Sequence, residues 1–150
     1  MTWDLAMVAL NTHLAAAGAT LSPKVTTIWD GEPDAVNGPL FASWYAGDRE
    51  SMSGGNSLSK TNIEEGVVIT IYWPDSVRFP SGATALERWL RAAVRAVKHE
   101  LWADTDLGGN AIGIDVGDAS ATWDIPGGAL CRIARFTLWV DEAWVDDIAP

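Results

Sequence analysis

Histidine, the side chain most often used for proton transfer, occurs only twice in this chain, as His13 and His99, and cysteine only once, as Cys131. A single cysteine excludes an internal disulfide, and its place in an apolar run suits a small buried hydrophobe. Neither histidine has a Cys or His partner at metal-ligand spacing. His13 is expected on the polar side of a first helix and His99 near the basic face of a second, both solvated. No G-x-S-x-G, P-loop, dinucleotide glycine pattern or H-E-x-x-H occurs. Ser57 and Cys131 lack a recognisable base that would activate them as nucleophiles. The sequence therefore nominates no catalytic, cofactor-binding or metal-ligating residue and implies no cofactor.

Long apolar runs are missing too. No stretch reaches membrane-spanning length. Asp4 and Asn11 interrupt the first apolar segment and no basic stretch precedes it, so no secretory signal is expected. These features predict a soluble protein made and kept in a reducing cytoplasm. Positive charge is scarce: ten Lys and Arg stand against twenty Asp and Glu, a net charge of −10. Such a balance argues against a protein that binds nucleic acid by neutralising phosphates, and against adhesion to anionic membranes.

Tryptophan, by contrast, is abundant, with nine in 150 residues. Trp buries much area but its N–H needs a partner, so it favours interfaces with one wet end. A single core would hold only part of this set, and the remainder leans towards contact with other chains. The length suits one domain with a proper core.

Trp3, Met7, Leu10 and Leu14 fall on one stripe of a first helix, Trp3–Ala17, ending near Gly18. Short strands are expected at 24–29 and 40–45, with turn chemistry at 30–39 between them. A strand at 65–73 is apolar on both faces, which suits a central position. The second helix, 84–102, opens on an apparent capping box of Thr84 and Glu87. Its apolar face is Leu86, Leu90, Ala93, Val97 and Leu101. Two long strands, 112–124 and 129–140, are joined by Ile125–Gly128 as a hairpin. With no βαβ alternation, the class is α+β: a largely antiparallel β-sheet with two packed helices and a long C-terminal β-hairpin.

Three segments invite functional readings. Gly47–Asn62 is a long Gly/Ser-rich connection, expected to be mobile in the free protein; such loops are functional or disordered. Arg49, Met52, Leu58 and Lys60 are its candidate anchors, and a tolerated surface insertion is the bland alternative. Arg88, Arg91, Arg95 and Lys98 form a basic stripe on the second helix. Solvated face, pairing surface for an acidic neighbouring subunit and nucleic-acid contact remain open for it. No aromatic is seen among these residues to stack on bases. The acidic tail 141–150 carries Asp141, Glu142, Asp146 and Asp147 with Trp144, a complement to that stripe across a heterologous interface. Asp104–Gly109 with Asp115 imitates a calcium loop, but Gly108 stands where an oxygen ligand is wanted and Asp115 where a bidentate Glu is wanted. A helix-terminating Asp/Gly turn is the reading taken.

The element order, the polar loop between the second and third strands, and the WPDSVRFPSGATALERWLRAAVRAV stretch together resemble the tail terminator proteins of long-tailed bacteriophages, of the lambda-like minor tail protein U type. The resemblance covers essentially the whole chain as one domain, 1–150, without a diagnostic motif. It implies a virion protein at the head-proximal end of the tail, assembled in the bacterial host cytoplasm. There, six copies would form a ring that caps the tail tube, ends its growth and provides the head-tail joining surface. Its implied partners are further copies of itself, the tail tube protein and a head-tail connector or neck protein. Membrane and sequence-specific nucleic acid are not among them, while genome DNA passes through the ring. Tube contact falls to the loop 47–62. Other connector, neck or tail-completion proteins share a similar fold, and a monomeric ligand-binding module or an enzyme of unknown chemistry is the more distant alternative.

Overall fold

Val67, Ile69, Ile71 and Trp73 alternate along one strand with Val68, Thr70 and Tyr72, so neither side of it is suited to water. The first set lies in the main core, and Tyr72 belongs to a second, smaller one on the opposite face. A strand covered on both sides belongs in the interior of a sheet, and this one, β3 (Ile63–Pro74), lies between β2 (Leu40–Glu50) and β6 (Cys131–Asp141). The computed structural model describes residues 3–50 and 63–141.

The elements run α1 (Trp3–Ala19), β1 (Thr27–Asp30), β2 (Leu40–Glu50), β3, α2 (Ala83–Trp102), β4 (Gly113–Val116), β5 (Ser120–Asp124) and β6 (Cys131–Asp141). The sheet order is β1-β2-β3-β6-β4, with β5 also paired to β6. Among the described residues only β1 and β2 run parallel; the other pairings are antiparallel. The fold is α+β, with both helices contributing to one core and a β5–β6 hairpin closing the chain.

The smaller core lies on the other face, where Val36 from the β1–β2 connection meets Leu40, Ala42, Tyr72, Cys131 and Ile133. Burial there pushes the Tyr72 phenol up to about 12. It also raises the Cys131 thiol, whose Sγ lies 3.5 Å from the Ala129 carbonyl, and this cysteine is a small buried hydrophobe as its sequence context implied.

Several boundaries differ from the sequence expectation for identifiable reasons. The first strand is 27–30, not 24–29, because Val25 turns back to donate its N–H to the Gly18 carbonyl at the end of α1. The buried side of α1 is Ala6, Leu10, Leu14 and Ala17, with Met7 only half-buried. The second helix begins at Ala83 with Gly82 as its N-cap and no side-chain cap. Ser81 and Gly82 both have positive φ, which brings the chain into the helix without the box. Thr84 is already helical, and Glu87 instead takes a bidentate ion pair from Arg132 of β6, with Nη2 donating at 2.8 Å. The expected strand 112–124 is broken into β4 and β5. Between the pairs Val116↔Leu138 and Ser120↔Arg135 three residues on one side (117–119) face two on the other (136 and 137), so the chain bulges out at 117–119. A Cβ on Gly117 would come within 2.8 Å of the Thr137 carbonyl oxygen, so the bulge needs glycine there.

Candidate functional site

An amphipathic helix packed on a sheet leaves its polar stripe outward, and on α2 that stripe is basic. Leu86, Trp89, Leu90, Ala93, Val97 and Leu101 are buried. At roughly 100° per residue, Arg88, Arg91 and Arg95 point nearly opposite to them. All three arginines are exposed, and among the described residues none forms an ion pair or side-chain hydrogen bond. With Leu21, Ala96 and Trp102 they line an open groove of about 990 Å³ between α2 and the end of α1.

Two features of this surface differ from the sequence expectation. Lys98 is not a free member of the stripe: it is half-buried, donates from Nζ to the Gly117 carbonyl at 3.0 Å and lies 5.3 Å over the Phe136 ring. It pins the bulge between β4 and β5. Trp102, 60% exposed, is a further member of the stripe that the sequence expectation did not include. It stands seven residues after Arg95, two helical turns on, and so falls in line with the arginines. An aromatic therefore does sit among the cations, and helical spacing, not adjacency, was the signal that would have found it.

The acidic partner expected for this stripe is only partly described. Asp141 is not part of a free tail: it is the last residue of β6, 8% exposed, paired across to Glu64 and accepting the Ile112 N–H at 2.7 Å. Glu142, Trp144, Asp146 and Asp147 lie outside the described residues, as do Met52, Leu58 and Lys60 of the candidate tube-contact loop.

Arg49 is described, and it is not in a loop. β2 and β3 stay paired to Glu50↔Ile63, so Gly47–Glu50 belongs to the sheet and the connection is shorter than expected. The register slips between Tyr45 and Gly47, a bulge at whose far side Arg49 faces Glu64. Its Nε bonds Glu64 at 2.5 Å and its Nη2 bonds Asp115 of β4 at 2.9 Å, with the guanidinium 4.2 Å over the Trp139 ring. Arg49 therefore ties four strands together and is not available as a loop anchor.

His13 is not solvated either. Its Nδ1 lies 3.2 Å from Glu100 and its Nε2 2.6 Å from Asp104, joining α1 to the C-terminal end of α2. The Gly108 N–H and His13 together hold the Asp104 carboxyl below the usual aspartate range. This is the Asp/Gly turn expected for the segment, with a histidine clamp added. His99 is exposed, in line with its expected position.

Among the seven tryptophans whose side chains are described, Trp73 and Trp89 are buried in a T-shaped pair at 5.1 Å, with N–H groups donating to Val77 and Pro23 carbonyls. Trp29, Trp102 and Trp123 are 44%, 60% and 49% exposed, so part of the described set lies at the surface. No family model and no curated protein matches this chain.

Proposed function

We propose that this chain is the subunit of a closed ring that caps the tail tube of a long-tailed phage. The observation that carries the reading is the groove on α2. Three arginines without partners among the described residues and an exposed tryptophan share one helix face in a chain of net charge −10. A ring needs a heterologous interface, in which one face of a subunit meets a different face of the next. Arg and Trp are the residues that dominate such contacts, and the acidic segment 142–150 of the next subunit is the complement. The paired ends of β2 and β3 at Glu50↔Ile63 bring both ends of the 51–62 connection to one point of the sheet, where it would meet the tube. The resemblance to tail terminators in element order points the same way. On this reading the chain performs no catalytic step, and its work is to stop tube growth and offer a surface for the head.

The test is imaging. Negative-stain micrographs of the chain added to purified tail tubes should show one ring, expected to contain six subunits, at the head-proximal end. A single bound copy, or binding along the tube wall, would overturn the proposal.

A further inference from the structure

We propose that an acidic cleft between α1 and the β1 edge of the sheet receives the arginine face of α2 from a second copy of this chain. The inference deepens the ring reading by naming a further acidic element, besides the segment 142–150, that meets α2, and it rests on that reading for the identity of the occupant. The cleft, of about 480 Å³, lies between the N-terminal half of α1 and strands β1 and β2, lined by Asp4, Val8, Asn11, Asp30, Ser43 and Tyr45. Asp4 and Asp30 are exposed carboxylates without an ion pair among the described residues. At the rim the Tyr45 hydroxyl donates to Glu65. Burial and the neighbouring Asp48 raise that carboxyl above the usual glutamate range, against the effect of the hydrogen bond. Deeper in, Asn11 Oδ1 is buried with no hydrogen-bond donor among the described residues, and Ser43, 2% exposed, has no side-chain hydrogen bond there. Val8 and Tyr45 give the mouth an exposed apolar border. Carboxylates, an unmatched amide oxygen and an apolar border together suit an arginine. Its guanidinium donates to the oxygens while its stem and planar face rest on the apolar groups.

The chain carries that cation on its own surface. Arg91 and Arg95 stand about one helical turn apart on α2, exposed and without partners among the described residues. The α2 groove and the cleft share no lining residue, so one subunit presents both at once. A contact between two different faces of the same chain is heterologous and passes from copy to copy. Charge also fixes its direction: α2 against α2 sets cation on cation, cleft against cleft sets carboxylate on carboxylate, and only α2 against cleft attracts.

The experiment is sedimentation velocity of the full chain in low salt, at concentrations up to about 1 mM. One variant reverses the helix face, Arg91→Glu/Arg95→Glu, and a second reverses the cleft, Asp4→Arg/Asp30→Arg. A control, Asp34→Arg/Asp75→Arg, changes exposed carboxylates outside the cleft. Wild type and the control should self-associate alike, and each of the first two variants alone at least roughly tenfold more weakly, because like charges then meet. An equimolar mixture of those two should recover the wild-type affinity, since reversed faces pair with reversed faces and native with native. Recovery also shows that both variants are folded. Wild type that stays monomeric up to about 1 mM would overturn the inference, as would a mixture no better than its components or a control as weak as the cleft variant. A cleft variant that associates like wild type would overturn it too, and would leave the cleft to a partner other than a second copy. Every arm is read without tubes, so failure here leaves the ring images untouched, and recovery without rings on tubes removes only the tube-capping reading.

Discussion

The two helices contribute to the same core and are built on opposite plans. α1 is small and apolar nearly all round: Ala6, Leu10, Leu14 and Ala17 face inward, while Leu5 and Val8 are 53% and 61% exposed on the outside. α2 is divided, with large residues inward and arginines outward. α1 is held by closeness: a Cβ on Gly18 would lie 2.3 Å from the Val25 carbonyl oxygen, and His13 clamps the helix to α2. α2 is held by bulk, with Trp89 and three leucines filling the core. The difference teaches where surface freedom lies. An element seated by large side chains keeps its whole outer face clear of the core, and on α2 that face carries Arg88, Arg91 and Arg95.

Substitutions that probe this contrast rank in a definite order. Leu101→Ala, at a fully buried position of α2, should cost about 2–5 kcal/mol in urea unfolding, whereas Leu5→Ala on the outside of α1 should stay within about 0.5. Similar costs for the two would mean that Leu101 does not sit in the core as the structure places it. Gly18→Val should cost about 1–3 kcal/mol, because the obstructing atom is backbone and cannot swing aside. A neutral result would show that α1 lies farther from Val25 than the structure places it.

Asp104→Asn should lose about 1 kcal/mol, since it weakens the contacts to the Gly108 N–H and to His13. The pH dependence has a definite sign. A carboxyl held below its unfolded value contributes stability above about pH 4 and loses it as the pH falls further. Wild type should therefore lose more stability than Asp104→Asn between about pH 4 and pH 2, followed by urea midpoints. Parallel curves would remove Asp104 from the account. Smallest is Arg49→Ala: with the side chain 42% exposed, its ion pairs and its stacking on Trp139 should be worth no more than about 1 kcal/mol together.

The division within α2 was legible in the sequence because large apolar residues and cations recur at helical spacing. The central β3 was legible because both of its faces are apolar. What failed to show were effects that depend on a distant partner. Glu87 looked like half of a capping box, but its partner is Arg132, 45 residues away. His13 looked solvated because Glu100 and Asp104 come from the other helix and its following turn. Arg49 looked like a loop residue because polar Gly47–Glu50 pairs with a strand that the sequence starts too late, at 65 instead of 63. In the site itself, the placing of the arginines on one helix face was legible, because they recur at helical spacing. Lys98 was not, because its carbonyl acceptor arises only from the bulge at Gly117, and Trp102 was missed because its place in the stripe appears only on the helical wheel.

The claim that α2 presents an assembly face is tested most directly by the double reversal Arg91→Glu/Arg95→Glu, compared with wild type on purified tail tubes across a range of salt. Both positions lie off the buried face, so urea unfolding should give a stability close to wild type. The predicted result is a folded protein that fails to form rings on the tube end in low salt, where paired charges matter most. Normal rings from the double variant at every salt concentration would contradict the account, and the arginine stripe would then be a solvated helix face.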